Sequence, residues 1–465
     1  MTRLVAVSNR VSQPTTESKS AGGLAVGVLS ALKEHGGVWF GWSGKTTQGE
    51  AGNLKTEQVG NITYATIDLN ETAFDKYYNG FSNTSLWPIC HYLLHFFRFD
   101  RREYDEYRRI NALFARKLLP LLQPDDVIWV HDYHLIPLAS ELRRAGVENP
   151  IGFFLHVPFP DIEVLRVLPV YKQLLRSLCA YDVIGFHTPR DLASFNEAVN
   201  QKEIGGIEGA DRRKISPTQH CRADVFPIGI DVDDCYQLAT AANRSDNTRR
   251  MIHHLHDRNL IIGVDRLDYS KGLEERFRAV ERLFQNYPEN RGQVSYIQIA
   301  PKTRAGVRAY DDIRHALEQA TGEINGEFAD IDWIPIRYLN RAFDRPTLME
   351  FFHEATVGLV TPIRDGMNLV AKEFVASQNP EDPGVLVLSR LAGASHELTD
   401  AVLVNPYDID GVADGIQKAL TMPLSERKER HAGMIDVLKR NDITAWRTNF
   451  VDALLEAHAR VKSES

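Results

Sequence analysis

The segment Thr361–Glu373, TPIRDGMNLVAKE, combines residue types that can hold an anion and a polyol side by side. It joins the end of an apolar run, Val357–Val360, to a helical pattern over Leu369–Ala376, with Asp365, Gly366 and Asn368 at the junction. Asp and Asn are good helix N-caps, and Gly lets the backbone turn closely. The first-turn amides of such a helix, together with its dipole, make an anion site. Glu373 lies one turn further in, where a carboxylate can accept hydrogen bonds from sugar hydroxyls. An anion bound beside a polyol describes a nucleotide sugar.

A second group follows the run Leu260–Val264. In Arg266-Leu267-Asp268-Tyr269-Ser270-Lys271-Gly272 an Arg and a Lys share one glycine-ended loop. Arg forks two phosphate oxygens and Lys supplies a point charge, which suits a diphosphate. By itself such a loop is better explained by solvated charges of mixed sign. Its place at a strand end, in the same half of the chain as Asp365–Glu373, favours the ligand. Lys302 and Arg304 follow the run Val294–Ala300 in the same manner, and Arg10 stands at the mouth of the first strand. A charge at the carboxyl end of a buried strand is commonly there for a ligand.

Other patterns carry less. Ser20-Ala21-Gly22-Gly23-Leu24 permits close approach of backbone to ligand, but a tight turn packing a helix on a sheet explains it equally well. Gly44-Lys45-Thr46 resembles the tail of a P-loop, yet Trp39 stands where the leading glycine is required. His131-Asp132-Tyr133-His134 has spacing reminiscent of metal ligands but lacks an evident third ligand, so Asp132 is read as an acceptor for a substrate hydroxyl. His156 ends the run GFFL ahead of Pro-Phe-Pro, and a core and a ligand reading are evenly balanced there. Asp408-Ile409-Asp410-Gly411-Val412 matches a phosphatase pattern with too little chain after it to complete such a domain, so a turn with an acidic helix start is expected.

The elements that must position these residues are short, continuous apolar runs: Leu4–Val7, Val127–Val130, Gly152–Leu155, Val183–Phe186, Val225–Ile228, Leu260–Val264, Val294–Ile299, Val357–Val360, Val385–Leu388 and Val402–Val404. Continuous apolar character marks strands buried on both faces, as in parallel sheets. Helical patterns alternate with them, as at Leu24-Val28-Leu32, Leu113–Leu122, Leu273–Tyr287 and Leu348–Phe352. The alternation predicts an α/β protein with doubly wound parallel sheets. At 465 residues the chain exceeds one ordinary core, so two domains are expected, 1–240 and 241–465, facing each other across a cleft. Thr240–Arg250 reads as the linker and Glu203–Arg222 as an exposed excursion.

Hydrophobic content of 43% and charged content of 25% are those of a soluble globular protein. A net charge of −8 argues against a nucleic-acid partner, so anionic substrates must be drawn in by local Arg and Lys. The four cysteines show no CxxC spacing, which fits reduced thiols in the cytoplasm. No apolar run approaches the ~18 residues of a membrane span, and LVAVSNR follows the N-terminus at once, so neither a span nor a leader is expected.

Taken in order, VSNR, AGGLAVG, WFGWSG, YYNGFSN, LWP, HDYH, GFFLHVPFP, PIGID, RLDYSKG, QIAP, TPIRDGMNLVAKE and NPYD resemble the signature blocks of the trehalose-6-phosphate synthases, retaining glucosyltransferases of the two-domain GT-B class. The match runs from Leu4 to about Trp446. The resemblance implies two Rossmann-like domains and transfer of glucose from UDP-glucose to glucose 6-phosphate. It places Arg10, Tyr78, Trp87, Asp132 and Arg304 on the acceptor. Arg266 and Lys271 fall on the donor diphosphate, and Asp365 with the amides of Gly366, Met367, Asn368, Leu369 and Val370 on the donor glucose and phosphates. Glu373 falls on the ribose, His156 on the glucose 6-hydroxyl, and Gly22, Gly23 and Phe343 complete the donor set. Asp132, His156, Arg266, Lys271 and Asp365 form the implied catalytic group. The final helix is expected to return to the N-terminal domain. No cofactor or metal, no membrane and a homo-oligomer are expected.

Asp161 and the loop Val11–Lys19 depart from the family blocks, which leaves the donor base the most open feature. Too little chain follows the second sheet for the fused phosphatase domain of some relatives. With no nucleophile evident beneath the anomeric carbon, the family implies same-face attack rather than a covalent double displacement. The rivals on the same scaffold are a synthase using GDP- or ADP-glucose and a pseudo-glycosyltransferase joining cyclitols. A catalytically silent regulatory subunit is disfavoured because the charged strand-end residues are all present.

Overall fold

The computed structural model describes residues 3–12, 27–29, 31–33, 36–49, 52–201, 207–208, 214–215, 221–255, 257–302 and 308–464. Its contacts divide the chain into two units, 1–227 with 444–465, and 228–443.

The first unit holds strands β1 (Leu4–Arg10), β2 (Gly37–Thr47), β3 (Lys55–Val59), β4 (Ile62–Asn70), β5 (Val127–His131), β6 (Ile151–Phe154) and β7 (Val183–Phe186). A two-stranded ribbon, β8 (Ile207–Glu208) and β9 (Lys214–Ile215), precedes β10 (Arg222–Val225). The main sheet runs β10-β7-β6-β5-β1-β2-β4-β3 and is parallel except where β3 pairs with β4. β5, β6 and β7 are buried along their whole length, the environment their continuous apolar sequences require. β3 is exposed at every position and carries Lys55 and Glu57 on the sheet edge, which blunts that edge against further pairing.

The second unit contains β11 (Asn259–Val264), β12 (Val294–Ile299), β13 (Ile336–Leu339), β14 (Val357–Val360), β15 (Val385–Ser389) and β16 (Val402–Val404). They form a wholly parallel sheet in the order β13-β12-β11-β14-β15-β16. Its core packs Phe277, Val280 and Phe284 of helix Leu273–Asn286 with Val412 and Ile416 of helix Ile409–Leu420 on one face of this sheet.

In each sheet the chain starts in the middle, builds outward on one side, then returns to the other side of its first strand. The reversal falls between β1 and β5 in the first unit and between β11 and β14 in the second. Ligands of open α/β sheets bind at the carboxyl ends of the strands flanking such a reversal. Arg10 and Asp132 end or follow β1 and β5; Arg266 and Asp365 follow β11 and β14.

The expected parallel-sheet strands are present, with one displaced: Val225–Ile228 was read as a run, while β10 covers Arg222–Val225. β3, β4 and β13 have no continuous apolar run to betray them, and β2 opens apolar but ends in exposed polar residues. The boundary between units falls before helix Val232–Ala239 rather than at 240, because that helix packs on Arg345–Glu354, and Arg345 bonds both Asp234 and Cys235. The stretch read as a linker contains the start of helix Asp246–Leu255. Helix Ile443–Glu464 supplies Trp446 and Phe450 to the first unit, with ring centroids 4.7 and 4.8 Å from Trp129. Asp408 caps helix Ile409–Leu420 by accepting from the Gly411 amide at 2.9 Å, which makes the phosphatase-like pattern a helix start.

Candidate active site

In the first unit, Arg10 leaves the last position of β1 exposed, and its guanidinium carbon lies 5.8 Å from the centroid of the Trp42 ring. A Cβ on Gly44, whose φ is +87°, would fall 2.8 Å from Arg10 Nε, so glycine there clears the space the guanidinium occupies. Tyr78 sits on the π-helical segment Asp75–Leu86, stacked on His134 at 5.5 Å and on Phe74 at 5.0 Å. Trp87 is buried against His91 and Tyr133. These aromatic contacts gather a cation and a set of rings past the carboxyl ends of the central strands β1 and β5.

Asp132 follows β5 with φ +75°, a conformation that costs a non-glycine residue on the order of 1–3 kcal/mol. Its amide donates to Phe154 O at 2.8 Å, and its Oδ1 accepts from the His156 amide at 3.3 Å. The ends of β5 and β6 are thereby joined, and the strained residue is held by both. His131 Nδ1 lies 3.1 Å from His156 Nε2. Burial drives the His131 ring well below the ordinary histidine range, with His156 adding to the effect, and burial pushes His156 down to about 3.

Both imidazoles are therefore neutral at physiological pH. The unfolded chain takes up protons near pH 6.5 that these folded rings refuse, so stability rises with pH across that interval and falls on acidification. The melting temperature is expected to drop between pH 6.5 and about 4.5, above the range where most carboxylates titrate. His131→Phe should flatten the drop. An unchanged slope in that variant would assign the acid sensitivity to other groups.

In the second unit two loops meet. The backbone amides of Ile363 and Arg364 both donate to Ser270 O, at 2.9 and 3.4 Å. Gly272 has φ +61°, and a Cβ there would fall 2.7 Å from Thr361 O, so only glycine closes the first loop this tightly on the second. Across the junction Lys271 Nζ bonds Asp365 Oδ2 at 2.5 Å, and Asn368 Nδ2 donates to the same oxygen at 3.0 Å. Asn368 also caps helix Leu369–Ala376, accepting from the Ala371 amide at 3.2 Å. The Leu369 and Val370 amides precede the helix's own i→i−4 bonds and can serve an anion. Gly366 and Met367 are buried, and Met367 O accepts from the Ala394 amide at 2.8 Å, which pins the turn. Arg266, which follows β11, is exposed.

Glu373, on the same helix, lies 3.6 Å from Arg345 Nε. Burial raises its carboxyl pKa and Arg345 opposes that rise. Phe343 is buried, packed edge-on to Phe351 at 5.2 Å and covered by the Arg341 guanidinium at 4.6 Å. Phe343 is thus fixed by its own neighbours. Gly22, Gly23 and Arg304 lie outside the described residues. Among the described residues no group of three or more His, Cys, Asp or Glu side chains is placed to hold a metal ion.

Three cations escaped the sequence reading, two of them buried and one, Arg345, half-buried. Arg276 bonds Asp265 at 2.7 Å and reaches both loops; Lys372 bonds Glu397 at 2.6 Å; Arg345 bonds Asp234 and flanks Glu373. Arg276 carried a signal: it falls among Leu273, Phe277 and Val280, on the apolar face of its helix.

The profile of glycosyltransferase family 20 matches residues 2–456. A trehalose-6-phosphate synthase from Klebsiella pneumoniae is 50% identical over 465 residues, covering 100% of this chain and 97% of its own length. A UDP-forming α,α-trehalose-phosphate synthase from Burkholderia xenovorans, solved in complex with glucose-6-phosphate, is 49% identical with a TM-score of 0.91, over 97% of this chain and 100% of that one. A structure from E. coli bound with UDP-2-fluoro glucose is 50% identical with a TM-score of 0.90, over 97% and 98%.

Proposed function

The chain belongs to glycosyltransferase family 20, and from that premise we propose that it transfers glucose from UDP-glucose to glucose 6-phosphate, giving α,α-trehalose 6-phosphate and UDP. The observation that carries this reading is the junction of Lys271, Asp365 and the start of helix Leu369–Ala376 at a sheet reversal, where cation, carboxylate and amides adjoin.

In this reading the second unit holds the donor. Arg266, Lys271 and the Leu369 and Val370 amides take the diphosphate, Asp365 the glucose hydroxyls, and Glu373 the ribose. Arg345 favours the ionised carboxylate of Glu373, the form that accepts from both ribose hydroxyls. The acceptor takes Arg10 and Arg304 on its phosphate, Tyr78 and Trp87 against the sugar, and Asp132 on a hydroxyl. A neutral His156 can exchange a hydrogen bond with the donor's 6-hydroxyl, which an imidazolium could only donate to.

Retention then proceeds by same-face attack. The bond from C1 of glucose to the β-phosphate oxygen breaks, and the acceptor's 1-hydroxyl oxygen bonds to C1. Its proton passes to the departing phosphate. Charge gathers on that phosphate as the bond breaks, and Arg266, Lys271 and the helix amides stabilise it there.

The test is product formation from glucose 6-phosphate with UDP-, GDP- or ADP-glucose, read by mass and by release of each nucleotide. Trehalose 6-phosphate from UDP-glucose is expected, and no product from any donor would overturn the reading. Because the cations and amides supply the charge, turnover is expected to survive exhaustive chelation. Activity that returns only with an added divalent ion would refute that point.

Among the described residues no helix is long and apolar enough to cross a membrane. Cys90, Cys179 and Cys235 are buried as free thiols, which supports a reducing cytoplasmic setting. Assembly into a homo-oligomer is proposed and is checked by light scattering.

A further inference from the structure

We infer that Arg276, a residue placed to touch neither substrate, is the positioning residue of the donor site, and that it acts through Thr361 and the Lys271 carbonyl. The inference rests on the donor assignment above. Arg276 is 1% exposed, and its guanidinium bonds four partners on three segments. Its Nη1 bonds Asp265 Oδ2 at 2.7 Å, just past β11, and Gln298 Oε1 at 3.0 Å on β12. Its Nε donates to Thr361 Oγ1 at 3.0 Å, immediately past β14. Its Nη2 donates to Lys271 O at 3.2 Å.

The last two bonds carry the argument. Lys271 and Asp365 sit on different loops, and their side chains meet at 2.5 Å only if those loops keep a fixed spacing. Arg276 grips the backbone of one loop at the reactive lysine and the first side chain of the other. A planar fork with donors in fixed directions sets that spacing in a way a single ammonium cannot. Asp265 neutralises the guanidinium and is itself buried, so the charge serves geometry inside the unit rather than a ligand outside it. Supporting groups of this kind determine whether binding groups stand at a productive distance.

Simple removal of Arg276 leaves Asp265 buried without its cation, and such a chain can fail to fold. Thr361→Val is therefore the primary variant, since it keeps shape and the Arg276–Asp265 pair and deletes one hydroxyl. Thr361→Ser restores the hydroxyl. Arg276→Met combined with Asp265→Leu removes both charges together.

Melting temperature, UDP affinity by calorimetry, and kcat and KM for each substrate are measured on full-length protein. Thr361→Val should weaken UDP binding and raise the UDP-glucose KM about tenfold, the ratio one charge-assisted hydrogen bond supports. Its glucose 6-phosphate KM should stay unchanged. Thr361→Ser should recover most of the loss. The double variant, where folded, should lose more UDP affinity than Thr361→Val. Thr361→Val with parental UDP affinity and KM would overturn the inference, as would equal losses for donor and acceptor. Absence of UDP binding by the parent protein would instead overturn the donor assignment itself.

Discussion

Lys271→Ala is expected to lower kcat about a hundredfold at saturating donor and acceptor, on the order of 3 kcal/mol of transition-state stabilisation. An anchor that held the diphosphate equally in ground and transition states would change KM and leave kcat alone. Lys271 is assigned more than that, because charge on the β-phosphate grows as the glycosidic bond breaks, and an ammonium beside it gains attraction at that moment. The Lys271–Asp365 pair adds a second effect. Without Lys271 the Asp365 carboxylate stays beside the diphosphate position with its cation gone, and repels donor and transition state alike. That repulsion belongs in KM. Only kcat at saturation isolates the transition-state share. Lys271→Arg should restore part of the rate, since a planar fork cannot replace an ammonium held between Asp365 and a phosphate without displacing one of them. A kcat near parental in Lys271→Ala would leave stabilisation of the leaving group to Arg266 and the helix amides.

Why the loops of Lys271 and Asp365 stood out in the sequence while their supports did not is a matter of what each residue type advertises. Asp365, Gly366 and Asn368 follow an apolar strand and precede an apolar helix, and only a few backbone arrangements satisfy that order. Arg266 and Lys271 follow the same logic after β11. The fully buried strands announced themselves by unbroken apolar character. β2 did not, because GVWFGWSGKTT begins apolar and ends in exposed polar residues, and β3 did not, because every side chain on it meets solvent. The pairing of Lys271 with Asp365 was hidden for a different reason. It depends on the spacing of two loops whose pairing residues are 94 positions apart, and no local pattern encodes that. Arg276 was legible in part as a charge on an apolar helix face. Its four partners, spread from Asp265 to Thr361, were not.

Lys372 shows how the same helix is held from behind. It lies three positions into helix Leu369–Ala376 after the Leu369 start, fully buried, with Nζ 2.8 Å from Ile228 O and 2.6 Å from Glu397 Oε2. Asn441 Nδ2 donates to the other oxygen of Glu397 at 2.8 Å. Ile228 opens the second unit and Asn441 stands near its end, so one ammonium–carboxylate pair fastens the donor helix to both ends of that unit. Burial lowers the Lys372 pKa and Glu397 opposes the shift. Lys372→Met should destabilise the protein by roughly 3–5 kcal/mol, because it leaves a mostly buried carboxylate without its cation. For a unit of this size that corresponds to a fall in melting temperature of roughly 10 °C. Lys372→Met combined with Glu397→Leu should recover most of the fall, since removing both charges also removes the desolvation penalty that opposed them. The remaining loss measures the bonds to Ile228 and Asn441. Calorimetry on the two variants decides between an unpaired charge and lost hydrogen bonds. Equal destabilisation in both would put the whole loss in the bonds to Ile228 and Asn441, with no part of it in a carboxylate left without its cation.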